Sequence, residues 1–389
     1  MSKRAVFAVF LSLFAAMVGL GAICPILPVI AGRVGANGIW LGIIFSSFAV
    51  SRGISMPFMG NLSDRIGHKI LISSGLLILA VVSSFYIFAR NVYEFTAVRL
   101  LHGIAAGMII PVVMAYVGNF VTKGKEAKSM GMFNMMFYFS VALGPLLGGN
   151  IGGRFGFDAV FYTLAALSGT ALIFAVFFIP GRNKYAVTVP KGAEKFRDLI
   201  KRDTVKAILL ITLTNAIRVS VIMAFAPVYG AEMGVSEAGI GVVISVCIMT
   251  AGILQPFFGH VSDTKQKKWK FHQIMAGAGI STAGFAAIPF CHGFAAMIAA
   301  SIVIGLGFAV TTPVTTGISV LIGHRIGMGA WMGVFNASMS VGTVLGPLLA
   351  GAILDDYGIK SVFFMISGIS VAGIGICYHY FLRRLRTAA

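Results

Sequence analysis

Residues 60–69 read GNLSDRIGHK, and a second stretch of related pattern, GHVSDTKQKK, occupies residues 259–268. Each is a short polar turn between two long apolar runs, and the glycines of the first allow two helices to turn sharply and lie close together. Prolines repeat in the same way. Pro57 and Pro145 recur about 200 residues later as Pro256 and Pro347. The chain therefore contains two copies of one pattern, one in each half.

Around these turns the chain is strongly apolar. Of its 389 residues, 58% are hydrophobic and 11% are charged, and the mean hydropathy is +0.93. Soluble domains carry about a quarter charged residues, so a soluble enzyme and a disordered chain are both excluded. Twelve apolar stretches of about 20 residues predict twelve membrane-spanning helices. The predicted fold class is an all-α membrane protein of two pseudo-symmetric six-helix halves, residues 1–181 and 207–389, joined by a basic linker over residues 182–206.

The distribution of charge predicts the orientation. The net charge is +18, from 30 Lys and Arg against 12 Asp and Glu. With the N-terminus inside, 23 of the 30 basic residues fall on the inner side and four fall in outer loops. Cytoplasmic loops collect Lys and Arg, so both termini are expected in the cytoplasm and the protein in the cytoplasmic membrane. The basicity needs no nucleic-acid partner, and a monomer surrounded by lipid is expected.

The turn at residues 60–69 resembles the loop of the major facilitator superfamily with the pattern G-x-L-x-D-R-x-G-R-K, from which only His68 departs. The resemblance implies the superfamily fold. It also implies that Asp64, Arg65 and Lys69 take part in a cytoplasmic charge network that holds the inner side closed. The second copy keeps Asp263 but loses the arginine and the later glycine, which weakens the expectation of a gating role there.

Two further motifs are similar to those of the superfamily's drug:proton antiporters. The first is a close helix-crossing motif in the fifth span, with a partial copy in the eleventh span, formed by Gly144, Pro145, Gly148, Gly149, Gly346 and Pro347. Small residues at helical spacing are common in spans, so generic packing is the alternative interpretation. The second is RLLHG at residues 99–103, which matches R-x-x-Q-G except for His102. The resemblance implies that Arg99 binds substrate or transfers protons; the alternative is a structural cation bonded to backbone carbonyls.

Three arginines lie within spans: Arg52, Arg99 and Arg218. Each would cost about 3 kcal/mol or more if it faced lipid, and the twelve acids all lie at span ends or in loops. The arginines are therefore expected to line a wet cavity with no partner except the substrate. Because a guanidinium binds carboxylate and phosphate through two parallel hydrogen bonds, Arg52 and Arg218 from opposite halves predict a clamp for an anion.

His102 is the residue we expect to couple transport to protons, because its imidazole titrates closest to neutral pH; a simple hydrogen-bonding role is the alternative. Further substrate contacts are expected from polar side chains in the spans, namely Asn134 and Asn336 as a symmetric pair, Asn215 and Gln255. In membranes such side chains also bond across helices for structural reasons.

The sequence thus predicts a secondary transporter that moves a small organic solute by alternating access, with an anion exported. The alternatives are proton-linked or facilitated uptake of an organic anion, and multidrug:proton antiport, which the lack of a mid-span acid disfavours. A receptor or membrane scaffold of the same fold, which would need no substrate, is a further alternative. No nucleotide-binding loop, metal-ligand pair or nucleophile elbow is present, so neither an enzyme nor a cofactor is expected.

Overall fold

The computed structural model describes residues 3–33, 38–121, 123–181, 202–265 and 267–388, and these residues form helices joined by short turns. The helices are α1 Lys3–Arg33, α2 Gly38–Ile66, α3 His68–Phe88, α4 Val92–Asn119, α5 Glu126–Phe155, α6 Phe157–Phe178, α7 Asp203–Glu232, α8 Glu237–Ile253, α9 Gln255–Thr264, α10 Lys267–Ala287, α11 Phe294–Ile326 and α12 Met328–Ala388. A short 3₁₀ turn, Ile288–Phe290, follows α10. The predicted all-α fold class is confirmed.

The helices do not correspond one to one with the predicted spans, because one span is broken into two helices and one helix contains two spans. α8 and α9 meet at Leu254 and together form one span, while α12 contains two spans that meet at Gly358, whose φ of 74° requires glycine. In the described part of the chain, ten helical segments are long and apolar enough to cross a membrane. α2 and α5, with 29 and 30 residues, supply the other two. The arrangement is consistent with the twelve spans predicted.

The chain divides into two compact units that differ from the predicted halves in two segments. The first unit comprises residues 1–120, 136–191 and 322–337, and the second comprises residues 121–135, 192–321 and 338–389. Residues 121–135, around the start of α5, are thus grouped with the second unit, and residues 322–337, around the start of α12, are grouped with the first. The predicted linker over residues 182–206 lies outside the described residues up to residue 201, and α7 begins at Asp203.

Each unit has its own apolar core. In the first, Tyr86 stacks on Phe161 with ring centroids 4.8 Å apart, and Phe95 contacts Tyr86 edge-on. In the second, Tyr229 contacts Phe363 edge-on at 5.6 Å, within a cluster of buried residues from α7, α8, α10, α11 and the second span of α12.

Glycines of the predicted crossing motif lie where two helix backbones approach each other. In the first unit, a Cβ added at Gly144 or Gly148 of α5 would overlap the α1 backbone at residues 21–22. In the second unit, a Cβ at Gly346 of α12 would overlap Ser220 and the backbone of Ile217 on α7. Pro347 lies within α12, and the side-chain surroundings of Pro145 and Gly149 fall outside the described part. Because each close contact needs a residue without a side chain, the two copies of the motif bring α5 to α1 and α12 to α7.

Candidate functional site

Two arginines of the first unit approach the same aromatic ring. The guanidinium carbons of Arg52 and Arg99 lie 5.2 and 4.7 Å from the centroid of the Phe48 ring. Ile44, Phe48 and Arg52 follow one another at four-residue spacing on α2 and so share one helix face. Arg99 reaches this face from α4 and donates from Nε to the carbonyl of Ile44 at 3.3 Å. Within the described residues, neither arginine is paired with a carboxylate.

The close approach of α2 and α4 explains how these two positive groups come together. Gly103 and Gly107, one turn apart on α4, face Ser51 and Ser55 of α2, and a Cβ at either glycine would overlap the serine side chain. The serine hydroxyls turn back to carbonyls of their own helix, Ser51 to Phe48 at 3.2 Å and Ser55 to Arg52 at 3.0 Å. The two glycines therefore let α4 approach α2 closely, and this approach places Arg99 beside Arg52.

His102 lies next to this pair and is 1% exposed. Its Nδ1 is 3.0 Å from the hydroxyl of Tyr86, and its ring contacts Phe48 edge-on at 5.2 Å. Nε2 is buried without a hydrogen-bond partner in the described part of the chain, and Gly19 of α1 lies beside it: a Cβ there would be 4.0 Å away. The imidazole thus has one nitrogen within hydrogen-bond distance of a hydroxyl and one nitrogen without a partner in the described part of the chain. Its role in proton coupling stays a prediction.

Arg218 occupies a different kind of environment in the second unit. One nitrogen, Nη1, donates to the carbonyl of Ala278 at 3.1 Å and to the hydroxyls of Ser281 at 2.5 Å and Thr282 at 3.1 Å, all on α10. Nη2 donates to Oδ1 of Asn215, one turn earlier on α7. The side chain is 1% exposed. Among the described residues, four neutral acceptors therefore bind Nη1 and Nη2, whereas Nε is buried without a partner.

The expectation that Arg218 has no partner except the substrate is wrong. The sequence contains no acid at this depth, but hydroxyl and carbonyl groups also accept from a guanidinium, and α10 offers three of them within about one turn. Phe308 on α11 adds a ring face 5.4 Å from the guanidinium carbon. The clamp of Arg52 and Arg218 was predicted because neither arginine was expected to have a protein partner, and this reason does not hold for Arg218. Asn215, predicted to contact substrate, is one of the partners of Arg218.

Of the other predicted polar residues, the two asparagines have hydrogen-bond partners within their own units and Gln255 has none among the described residues. Asn134 donates to the hydroxyl of Thr316 at 3.2 Å in the second unit. Asn336 donates to the carbonyl of Met332 at 2.8 Å and to the sulfur of Met114 at 3.3 Å in the first unit. The two asparagines therefore do not share one kind of partner. Gln255, at the start of α9, is fully buried, and its side-chain nitrogen and oxygen have no partner among the described residues.

The two predicted gating aspartates make equivalent contacts. The carboxylate of Asp64 accepts hydrogen bonds from the backbone N–H groups of Gly329 and Ala330, both at 2.9 Å, at the start of α12. Asp263 accepts from the N–H groups of Ala127 and Lys128 at 3.1 and 2.8 Å, at the start of α5. A carboxylate at a helix N-terminus satisfies unpaired donors and interacts favourably with the helix dipole. The side chain of each aspartate therefore caps the N-terminus of a helix distant in sequence.

These contacts differ from the charge network implied by the resemblance. Asp64 bonds to backbone rather than to a cation, and no ion pair of Arg65 or Lys69 occurs within the described residues. Asp263 adds an ion pair with Lys270 at 3.5 Å. Burial raises the pKa of the Asp64 carboxyl above its usual value, although the hydrogen bonds from Ala330 and Gly329 act in the opposite direction.

Four residues of the two sites were not predicted from the sequence: Phe48 and Tyr86 in the first, and Ser281 and Thr282 in the second. Four-residue spacing from Arg52 points to Phe48 once α2 is known to be a helix. The other three lie on helices whose pairing is not encoded in local spacing.

Comparison with known proteins agrees with this architecture. The family model of the Major Facilitator Superfamily matches residues 9–330 and again residues 208–388. The chain belongs to the Major Facilitator Superfamily. Its second match, confined to the C-terminal part, is consistent with the internal repeat. The protein is accordingly a multi-pass membrane transporter of this superfamily.

Three superfamily proteins illustrate the similarity. The MFS-type transporter MJ1560 of Methanocaldococcus jannaschii is 26% identical over 389 residues, covering 98% of this chain and 99% of its own. The quinolone resistance protein NorA of Staphylococcus aureus is 26% identical over 381 residues, covering 96% of each. The crystal structure of the human organic anion transporter MFSD10 matches with a TM-score of 0.81 at 17% identity, covering 96% of this chain and 99% of its own. At that identity the structural match supports the superfamily fold alone.

Proposed function

We propose that this transporter exports a small organic anion by alternating access, and that Arg52 and Arg99 recognise the anionic group. The observation that carries this proposal is the placement of two guanidinium groups against one ring, Phe48, with no carboxylate partner in the described residues. Two like charges at this depth repel each other and are costly without a counter-ion. An organic carboxylate or phosphate would supply that counter-ion.

The two arginines differ in accessibility. Arg99 is 3% exposed and already donates from Nε to the backbone, whereas Arg52 is half-buried, with a buried Nε that has no partner among the described residues. A planar guanidinium pairs with a carboxylate through two parallel hydrogen bonds. We therefore assign the direct contact to Arg52, and a supporting positive charge to Arg99.

Export is supported by two arguments. An inside-negative membrane potential drives an anion outward with about 2.3 kcal/mol per charge for each 100 mV. The similarity to NorA, whose name records resistance to quinolones, also favours export of an organic compound. Uptake of the same anion would need coupling to an opposing gradient.

Inverted membrane vesicles test the anion site. Arg52→Gln keeps the size and polarity of the side chain but removes the charge, and we expect accumulation of the transported organic anion to fall by about tenfold or more, since one charged hydrogen-bonded pair is lost. Arg52→Lys should retain part of the activity, because it keeps the charge and loses the fork. Arg154→Gln, at an exposed arginine, is the matched control. If inverted vesicles containing Arg52→Gln accumulated the anion as fast as wild-type vesicles, the proposal would be contradicted.

Drug:proton antiport is the second candidate, favoured by the similarity to NorA and by the buried pair of His102 and Tyr86. In this case His102→Gln should abolish the dependence of transport on a pH gradient. A thermal-shift screen of the purified protein against organic anions, cations and neutral drugs separates the two candidates, because specific binding raises the apparent stability. Stabilisation by cations alone would favour antiport of drugs.

A further inference from the structure

A cleft in the second unit shares no lining residue with the sites of Arg52, His102 and Arg218. It has a volume of about 310 Å³ and is bounded by α9, α10 and α11. The lining residues are Phe258, Val261, Trp269, His272, Gln273, Ala276, Ile280 and Val310. Its exposed lining is almost entirely apolar, so it suits a hydrocarbon chain better than a polar solute.

The base of the cleft is held by a single amide. The side-chain nitrogen of Gln273 donates to the carbonyls of Phe258 on α9 and Val310 on α11, at 3.0 and 3.3 Å. Gln273 lies on α10 and is 6% exposed. One buried side chain therefore joins the three helices that line the cleft.

Two exposed lysines lie close in sequence to Trp269, which lines one end of the cleft. Lys268 lies on α10 one turn before His272, and His272, Ala276 and Ile280 continue the same face at four-residue spacing into the cleft. Lys268 and Lys265 are exposed. The first turn of α10 contains no acid, so its unpaired N–H groups add to the positive potential.

The nearby acid does not cancel this charge. Both carboxylate oxygens of Asp263 accept from backbone N–H groups, and Asp263 also pairs with Lys270 at 3.5 Å. Lys268 and Lys265 have no ion pair among the described residues. At the rim, Trp269 is 48% exposed, as is typical of tryptophans at the level of lipid headgroups.

We propose that this cleft binds one anionic phospholipid, with an acyl chain lying in the cleft and the headgroup phosphate bound by Lys268, assisted by Lys265. Two properties select this occupant. The apolar lining requires a hydrocarbon chain, and the lysines at the mouth require an anion at its end; basic pockets between spanning helices recognise anionic headgroups in this way. A free phosphate would leave the cleft empty, and a neutral lipid would leave the lysines without a partner.

Tryptophan fluorescence offers a direct measurement, because Trp269 lines the cleft. The purified protein is titrated with phosphatidylglycerol or phosphatidylcholine carrying the same brominated acyl chains, which quench a tryptophan in contact with them. The Trp269→Phe variant gives the signal of the remaining tryptophans. We expect quenching of Trp269 at about fivefold lower concentration of phosphatidylglycerol, which corresponds to one lysine contact.

Two variants test the two parts of the site. Lys268→Gln should remove the preference for phosphatidylglycerol, whereas Lys123→Gln, at an exposed lysine before α5, should keep it. Ala276→Phe fills the cleft from an exposed position and should weaken quenching by both lipids; its melting temperature establishes that it folds. Glycerol phosphate without acyl chains should not compete. Equal quenching by the two lipids in the wild type, or an unchanged preference in Lys268→Gln, would overturn the proposal.

Discussion

Replacing Asp64 with alanine removes both hydrogen bonds that its carboxylate accepts from Gly329 and Ala330 at the start of α12. Asp64 is half-buried, so the appropriate scale is that of a helix N-cap, where loss of the side chain costs about 0.5–2 kcal/mol. A cost of about 1–2 kcal/mol changes the ratio of closed to open states about 5- to 30-fold. The start of α12 should therefore open more often.

Hydrogen–deuterium exchange measured by mass spectrometry reports this opening directly. We expect amide exchange at residues 329–330 to rise about 5- to 30-fold in Asp64→Ala. Asp64→Asn should give a smaller rise, because its amide oxygen still accepts a hydrogen bond but carries no charge to interact with the helix dipole. Asp158→Ala, at an exposed acid in the first turn of α6, should leave this segment unchanged. Wild-type exchange at residues 329–330 in Asp64→Ala would refute the capping argument.

Three further substitutions probe the two units. Arg218→Met should lower the melting temperature, since each buried acceptor left unpaired costs about 1–3 kcal/mol, while Arg154→Met at an exposed arginine should not; equal melting temperatures would contradict the buried network. Gly144→Ala should destabilise by about 1–3 kcal/mol because the new methyl overlaps the α1 backbone. Gly351→Ala, which meets no atom within 4 Å, is its control in the same melting assay. Gly19→Asp would place a carboxylate beside the buried imidazole of His102, which lies one turn from Arg99 on α4, and we expect vesicle transport of the organic anion to be lost; retained transport would count against an anion site there.

The spans, the repeat and the family could be predicted from the sequence because they depend on local properties. Hydropathy over about 20 residues identifies a spanning helix wherever that helix packs, and a repeated proline or glycine pattern needs no knowledge of contacts. The positions of Arg52 and Arg99 within spans follow in the same way. Their approach to one ring does not, because it depends on the crossing of α2 and α4.

The partners of Arg218 could not be predicted for a related reason. Its acceptors on α10 are about 60 residues away in sequence, and serine and threonine are too common in spans to be recognised as arginine partners from their type. Because an acid is the partner that a buried arginine is expected to have, and none of the twelve acids lies within a span, the neutral acceptors of Arg218 were not predicted. The asparagines show the same limit, since Asn134 and Asn336 occupy matching positions in the repeat but bond to different groups.

The two aspartate caps also explain which residues are the same in the two copies of the turn and which differ. Both copies keep the serine–aspartate pair, at Ser63–Asp64 and Ser262–Asp263, whereas Arg65 is replaced by a threonine in the second copy. In each unit the aspartate accepts hydrogen bonds from the start of another helix, and the first glycine of the turn, Gly60 or Gly259, lies against the same helix start. The contact therefore does not depend on Arg65. Because the two aspartates cap different helices in separate units and share no partner, the double substitution of Asp64 and Asp263 should lower the free energy of unfolding by about the sum of the two single substitutions.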